Sequence, residues 1–230
     1  MIDRADLALL NAVSEDEWAA YLLAGDASME AIMNKASHGL APRELSQHFF
    51  KLWTAGLIEC SLEFSGPPVA PDFEQAKRQF ERTQEWPPSN DQCLVYRLSR
   101  EGGEMWERFA CPDWSRFLLS SVGEQGNEWT LTGADRRLVE VWRESGSKIS
   151  AGFPVPLDGT EKWEILQPWK ATYWKTLPIG YRLKFEFKTW DRPPSSPSPE
   201  ELEHVFEFQN EVWGRWHKGF DTICAEHFGD

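Results

Sequence analysis

The order of helices and strands in the first half constrains the fold of this chain most. Residues 42–56 carry apolar side chains at helical spacing, begin with a proline and end with a glycine, so they predict a helix. Residues 57–64 then alternate as a strand does, residues 93–98 alternate again, and an amphipathic helix follows to Ala110. Between the strands, SGPPVAP ends the first one because proline cannot donate to a sheet ladder, and residues 72–82 predict another helix.

Three shorter helices precede this pattern, over residues 4–13, 14–24 and 29–37. The second is indicated by the capping-box spacing of Ser14 and Glu17. The resulting order of elements over residues 3–110 resembles a winged helix-turn-helix domain of the MarR-like and PadR-like regulators, in which a strand-Ser-x-x-Gly segment leads into the closing helix. The resemblance implies a wing built from the two strands, and the insertion at residues 65–90 enlarges that wing beyond the family's simple hairpin.

The second half of the sequence predicts a separate unit, for which we recognise no family. Its strands are predicted over residues 117–122, 128–131, 162–166, 169–175 and 181–190. A helix follows the capping-box spacing of Thr132 and Asp135, and a long amphipathic helix over residues 198–220 is expected to cover the sheet. We therefore predict an α+β fold with a winged-helix-like domain over residues 1–116 and an α+β domain over residues 117–230.

The formal net charge of the chain is −13 at pH 7. Residues 1–70, which hold much of the winged-helix pattern, contain 4 basic and 10 acidic residues, whereas residues 161–192 contain 7 basic and 4 acidic residues. A protein that grips DNA normally presents a basic face, because neutralising phosphates supplies most of the non-specific affinity. The charge of the first half therefore argues against the commonest function of a winged-helix domain.

The cysteines and the first residues predict a reduced, cytoplasmic protein. The four cysteines are far apart and form no CxxC pair. The sequence does not begin with the pattern of a signal peptide, and no run approaches the ~18 apolar residues of a transmembrane helix. Cys60 and Cys93 fall on the two predicted wing strands, where both a pair of buried thiols and a disulfide are open.

Motifs for catalysis or cofactor binding are missing from the sequence. It contains no GxGxxG, GxxxxGK[ST] or GxSxG, and its five histidines form no HExxH or paired-ligand spacing. Cys224 and His227 stand three residues apart, but no second ligand pair accompanies them. We therefore expect no catalytic residues, no metal site and no cofactor, while the many carboxylates leave an enzyme open as a third class.

Two sets of residues are candidates for binding. On the helix over residues 42–56, Arg43, Gln47 and Lys51 follow i, i+4, i+8 spacing and would offer donors to base edges and phosphates. The second set combines basic and aromatic residues of the net-positive stretch, as in proteins that bind single-stranded nucleic acid; it comprises Lys170, Trp174, Arg182, Lys184 and Lys188. The alternation over residues 181–188 equally fits an ordinary half-buried sheet with a basic solvent face.

The leading hypothesis is a non-enzymatic cytoplasmic protein-binding module, for example of immunity or adaptor type, that binds a basic protein partner. It follows from the acidic charge, the 13 tryptophans and the missing catalytic motifs, because exposed aromatic rings and charge complementarity are both typical of protein recognition. The alternative is a DNA-binding winged-helix transcriptional regulator, which would be a dimer. Neither hypothesis includes a membrane partner.

Overall fold

A computed structural model describes residues 2–23, 40–81, 94–123, 126–148, 155–188 and 216–229 of this chain. The fold is α+β, as predicted. The chain forms two compact units: unit 1 contains Met1–Cys111, Thr172–Lys175 and Lys218–Asp230, and unit 2 contains Pro112–Ala171 and Thr176–His217. The chain thus leaves unit 1 after Cys111 and returns to it twice.

Within the described residues, the α-helices in chain order are α1 (Arg4–Ala12), α2 (Pro42–Thr54), α3 (Phe73–Glu81), α4 (Arg100–Ala110), α5 (Arg136–Lys148) and α6 (Phe220–Phe228). The strands are β1 (Trp18–Ala19), β2 (Ile58–Ser61), β3 (Val95–Leu98), β4 (Leu118–Val122), β5 (Glu128–Gly133), β6 (Val155–Pro156), β7 (Lys162–Leu166), β8 (Trp169–Lys170), β9 (Thr176–Leu177) and β10 (Gly180–Lys188). Two 3-10 helices span Ala20–Leu23 and Trp114–Arg116.

Unit 1 packs its helices against a small antiparallel sheet. The strand order is β1-β3-β2, with Ile58 opposite Leu98 and Trp18 opposite Tyr96. The turn from α2 into β2 uses Gly56 at a φ of +70°, a left-handed conformation that glycine adopts without strain. The largest fully buried side chains are those of Leu7, Leu9, Leu10, Leu45, Phe49, Leu52, Ile58, Phe80, Leu94, Tyr96, Leu98 and Trp106.

The predicted helix over residues 14–24 is wrong, because β1 and the first 3-10 helix occupy this stretch. Ser14 does not act as an N-cap; its hydroxyl donates to the carbonyl oxygen of Asn11 at 3.0 Å. The Glu17 carboxylate accepts hydrogen bonds from Ser65 instead of closing a capping box. Pairing of Trp18 with β3 thus overrides the local helix signal.

Residues Thr172–Lys175 form a tight turn that belongs to unit 1, and we call them the anchor segment. The Tyr173 hydroxyl accepts a hydrogen bond from the Leu98 N–H at 2.7 Å and donates one to the Val13 carbonyl. The Trp174 ring lies on Gly103, where an added Cβ would come within 2.1 Å of it. The strand predicted over residues 169–175 is therefore too long, since β8 ends at Lys170.

Unit 2 is built on an antiparallel sheet in the order β4-β5-β10-β6, with β7 also paired to β10. Helix α5 packs on one face; the core there comprises Trp129, Leu131, Val139, Trp142, Leu183, Phe185 and Phe187. Asp135 caps α5 by accepting from the Arg137 N–H at 2.8 Å, whereas Thr132 stays in β5, so the capping box predicted for this pair is wrong.

Several predictions concern other parts of the chain. The helix over residues 29–37, the second half of the insertion at residues 82–90, Cys93 and most of the helix over residues 198–220 lie outside the described residues. The last described helix, α6, lies in unit 1, where the Phe228 ring stacks on Phe109 with 6.0 Å between centroids. Within the described ranges, no helix combines the length and apolar character needed to cross a membrane.

Candidate functional site

The stripe predicted on α2 faces solvent. Arg43, Gln47 and Lys51 are all exposed, and their spacing of four residues aligns them along one face of the helix. Phe49 and Leu52 are fully buried on the opposite side. The structure therefore brings the three candidate residues together on one accessible surface.

The ammonium group of Lys51 is not free on this stripe, because two carboxylates of α1 hold it. Its Nζ contacts Asp6 and lies 3.3 Å from Oδ2 of Asp3. Asp6 is fully buried and also contacts Nδ1 of His48 at 2.8 Å. Asp3 and Asp6 in turn form the capping box of α1, each accepting a hydrogen bond from the backbone N–H of the other.

This group of charges fastens α2 to the start of α1. Burial raises the pKa of Asp3, but the hydrogen bond from the Asp6 N–H and the contact with Lys51 outweigh it and leave that pKa below its usual value. The hydrogen bond to Asp6 raises the pKa of Lys51. The positive charge of Lys51 is therefore matched locally by two negative charges and adds little attraction for a phosphate.

Asp3, Asp6 and His48 are also the group among the described residues that could offer ligand atoms to a metal ion, all within 4.8 Å of one another. Lys51 already donates to both carboxylates, and backbone N–H groups and His48 occupy further sites on them. A divalent cation would have to displace the ammonium group. The arrangement fits an ion-paired helix contact, and we assign no metal to it.

The residues of the second candidate set lie on several elements of the two units. Arg182 and Lys184 lie on the face of β10 that is turned away from α5, where Nη1 of Arg182 is 3.0 Å from Glu164 and Nζ of Lys184 is 3.7 Å from Glu128. Lys188 is exposed on the same face, and Lys170 is exposed on β8. Trp174 belongs to the anchor segment of unit 1, where its Nε1 donates to the Ser14 carbonyl at 2.9 Å.

Two of the three free cysteines of the described residues, Cys60 and Cys224, are buried. Burial raises the pKa of the Cys60 thiol to about 12 and also raises the pKa of Cys224, while Cys111 is exposed. The His227 ring packs against Phe109 with 5.0 Å between centroids. Cys224 and His227 thus serve packing in unit 1.

A loop that the sequence did not single out presents apolar side chains to solvent. Residues 61–69, here called the 61–69 loop, begin at the last residue of β2. The loop is closed because the Val69 N–H donates to the carbonyl oxygen of Cys60 at 2.7 Å. Phe64 at its tip is 60% exposed, the largest exposed fraction of any described aromatic side chain, and Pro67 and Pro68 are exposed beside it. The strand predicted over residues 57–64 is too long, since β2 ends at Ser61, and the sequence signal for the loop was the turn-forming run SGPP.

Carboxylates lie within and beside the 61–69 loop. The Glu17 carboxylate accepts from both the N–H and the hydroxyl of Ser65, at 3.0 and 3.2 Å, and so holds residues 15–17 beside the loop. Glu63 lies in the loop, Glu59 precedes it in β2, and Glu15 and Asp16 are the sequence neighbours of Glu17. Arg97 is the cation paired with two of them, through Glu59 at 3.1 Å and Glu17 at 3.9 Å. Residues 15–17 and 59–69 thus carry five formal negative charges, and the Arg97 paired with two of them carries one positive charge.

Comparison with protein-family models, curated proteins and solved structures finds no match to this chain. The features that bear on function are therefore the α2 stripe with its neutralised lysine and the apolar, acid-rimmed 61–69 loop.

Proposed function

We propose that this chain is a non-enzymatic protein-binding module of the cytoplasm, which uses a winged-helix-like scaffold in unit 1 to bind a basic protein partner. The order α2, β2, β3 and α4 supports such a scaffold, with α3 inserted between its two long strands. The free thiols of Cys60, Cys111 and Cys224 suit a reducing compartment.

The observation that carries this proposal is the ion pairing of Lys51. A helix that reads DNA keeps its lysine and arginine side chains available for phosphates and base edges. Here Asp3 and Asp6 hold the ammonium group on the outward face of α2, and Glu44 adds an exposed negative charge on the same helix. The surface around α2 therefore repels a polyanion more strongly than the surface of a DNA-reading helix would.

An acidic surface with exposed aromatic rings suits a basic protein. Charge complementarity accelerates the encounter of two proteins and selects among partners, while aromatic side chains supply much of the contact energy. In unit 1, Phe73 is 39% exposed and packs on Phe50 with 4.9 Å between centroids, and Phe64 is more exposed still. These rings lie in the acidic half of the sequence.

Capture from a native lysate of the source cells tests this function. The full chain, immobilised through one terminus, should retain a basic protein in a stoichiometric complex at about 0.05 M salt and release much of it at about 0.3 M, because screening weakens contacts between exposed charges. A chain that retains no stoichiometric protein at either salt concentration contradicts the proposal.

DNA binding is the second candidate, and the exposure of Arg43, Gln47 and Lys51 along one face of α2 favours it. A gel-shift titration with genomic fragments around the gene distinguishes the two functions. Sequence-specific, salt-dependent binding that is lost in Arg43→Ala and Lys51→Ala would place DNA binding first. Arg100→Ala is the matched control, since Arg100 is an exposed arginine on α4, away from the stripe.

A further inference from the structure

The Phe64 ring stands out because the loop that carries it is held in one shape. The Ser61 hydroxyl donates to the Glu63 carbonyl at 2.7 Å, and the Gly66 N–H donates to the same oxygen at 3.1 Å. A Cβ on Gly66 would lie 2.6 Å from Cγ of Glu63, so this turn needs glycine. Ser65 has a φ of +57°, a left-handed conformation that non-glycine residues rarely adopt, and the Glu17 carboxylate holds it there.

A fixed loop favours binding because little conformational freedom is lost when a partner docks on it. An aromatic ring presented in this way is the usual centre of a protein contact, surrounded by polar groups that close off water. Phe64, Pro67 and Pro68 form such an apolar tip. Glu63 is the exposed carboxylate beside Phe64 in the loop, and Glu15 and Asp16, the sequence neighbours of Glu17, are exposed as well. Compact loops with joined ends are frequently functional.

The charge around the tip indicates which kind of partner fits it. The five carboxylates of residues 15–17 and 59–69 and the one guanidinium of Arg97 give a formal charge of −4 for these residues. The Glu17 side chain is 7% exposed and points to the loop, yet its Oε2 receives no hydrogen bond from any described residue, and Nη1 of Arg97 lies 3.9 Å away. Nucleic acids and anionic lipids would be repelled here, and so would a second copy of a chain with net charge −13.

We propose that the 61–69 loop is the docking site for a basic segment of a partner protein, with an apolar side chain against Phe64 and flanking lysine or arginine side chains over the carboxylates. This inference rests on the proposed protein-binding function and specifies its surface and the chemistry of its partner. Cationic groups satisfy the uncompensated carboxylates, and the apolar side chain removes the Phe64 ring from water.

Selection from a random twelve-residue peptide library displayed on phage, carried out on the immobilised full chain, tests the docking site without a known partner. The selected peptides should combine an apolar residue with two or more lysine or arginine residues. Synthetic versions should bind Phe64→Ser at least tenfold more weakly than the unaltered chain, and Glu63→Lys about fivefold more weakly. Both positions are exposed, so neither substitution disturbs buried contacts.

Matched controls distinguish binding at this site from non-specific binding of the peptides. Ile165→Ser removes an exposed apolar side chain of β7 in unit 2, and Glu101→Lys reverses another exposed carboxylate, on α4; both should bind the peptides within twofold of the unaltered chain. Thermal unfolding of all four variants shows whether each is folded. If a docking-site variant is unfolded, cross-linking from a photoreactive phenylalanine at position 64 to the peptide provides the decisive readout.

Two results overturn the docking site: peptides without basic residues, or peptides that bind Phe64→Ser and the unaltered chain equally well. If a basic protein is captured from the lysate but binds Phe64→Ser normally, the docking site is wrong and the proposed function stands. If no protein is captured, the proposed function fails whatever peptides the library yields.

Discussion

The hydroxyl group of Tyr173 should contribute more to the stability of unit 1 than its size suggests. It accepts from the Leu98 N–H and donates to the Val13 carbonyl, and both of these residues are almost fully buried. The N–H of Leu98 points to the edge of β3 on which β1 lies, but β1 pairs with β3 only as far as Tyr96. The Tyr173 hydroxyl of the anchor segment therefore takes the place of a strand partner beyond the end of β1. Burial also raises the pKa of Tyr173, which keeps the hydroxyl protonated as a donor.

Tyr173→Phe removes two hydrogen bonds and leaves the ring in place. At about 1 kcal/mol for each bond, the free energy of unfolding should fall by about 2 kcal/mol, and by up to about 4 kcal/mol if water cannot reach the two backbone groups. For a chain of this length, about 2 kcal/mol corresponds to a fall in Tm of about 4 to 8 °C. The matched control is Tyr181→Phe in β10, whose half-buried hydroxyl bonds to no described residue and should change stability by less than about 0.5 kcal/mol.

Urea unfolding gives the stability change, and hydrogen exchange at the Leu98 amide gives a local readout. The amide of Leu98 should exchange faster in Tyr173→Phe, whereas amides of β5 in unit 2 should keep their protection relative to the global stability. Equal stabilities of Tyr173→Phe and Tyr181→Phe, with unchanged exchange at Leu98, would refute the assignment of these bonds.

Two further predictions concern charge and thiols. Lys51→Gln should lower the free energy of unfolding by about 2 kcal/mol, between the values for exposed and buried ion pairs. Because the pKa of Asp3 in the folded chain lies below its usual 3.8, stability is lost as the pH falls through that folded pKa. Without Lys51 this loss should begin at higher pH in an acid titration followed by circular dichroism. Acid unfolding at unchanged pH would contradict this. In a Cys93→Ser background at pH 8, a thiol reagent should modify Cys111 rapidly, while Cys60, with a pKa of about 12, should react only after unfolding; rapid modification of Cys60 would contradict its burial.

Local periodicity predicted those helices and strands whose apolar side chains recur at the spacing of the face that they bury. Helix α2 begins at Pro42 and ends just before Gly56, and the alternation of β10 places Leu183 and Phe185 in the core, as expected. The prediction of a helix over residues 14–24 failed because the local helix signal competes with strand pairing of Trp18 to Tyr96, some eighty residues away. A sequence window cannot weigh that distant contact.

Long-range contacts also explain what the sequence missed at the candidate sites. The spacing of Arg43, Gln47 and Lys51 correctly predicts a shared exposed face, but nothing local shows that Asp3 and Asp6 of α1 will hold the Lys51 ammonium group. Likewise, Trp174 reads as part of an aromatic strand, whereas its partner Ser14 lies 160 residues earlier. The first half of the 61–69 loop reads as the end of a strand, and nothing local shows that Ser65 will bind the Glu17 carboxylate, 48 residues earlier.

We propose that the acidic surface of unit 1 binds protein cations and not nucleic-acid phosphates. Lysate capture on the immobilised full chain, performed in parallel with and without prior nuclease digestion of the lysate, tests this proposal. The same basic protein should be retained in equal amount in both samples and should be released by salt. Loss of the retained material after nuclease digestion would contradict the claim and assign the surface to nucleic acid.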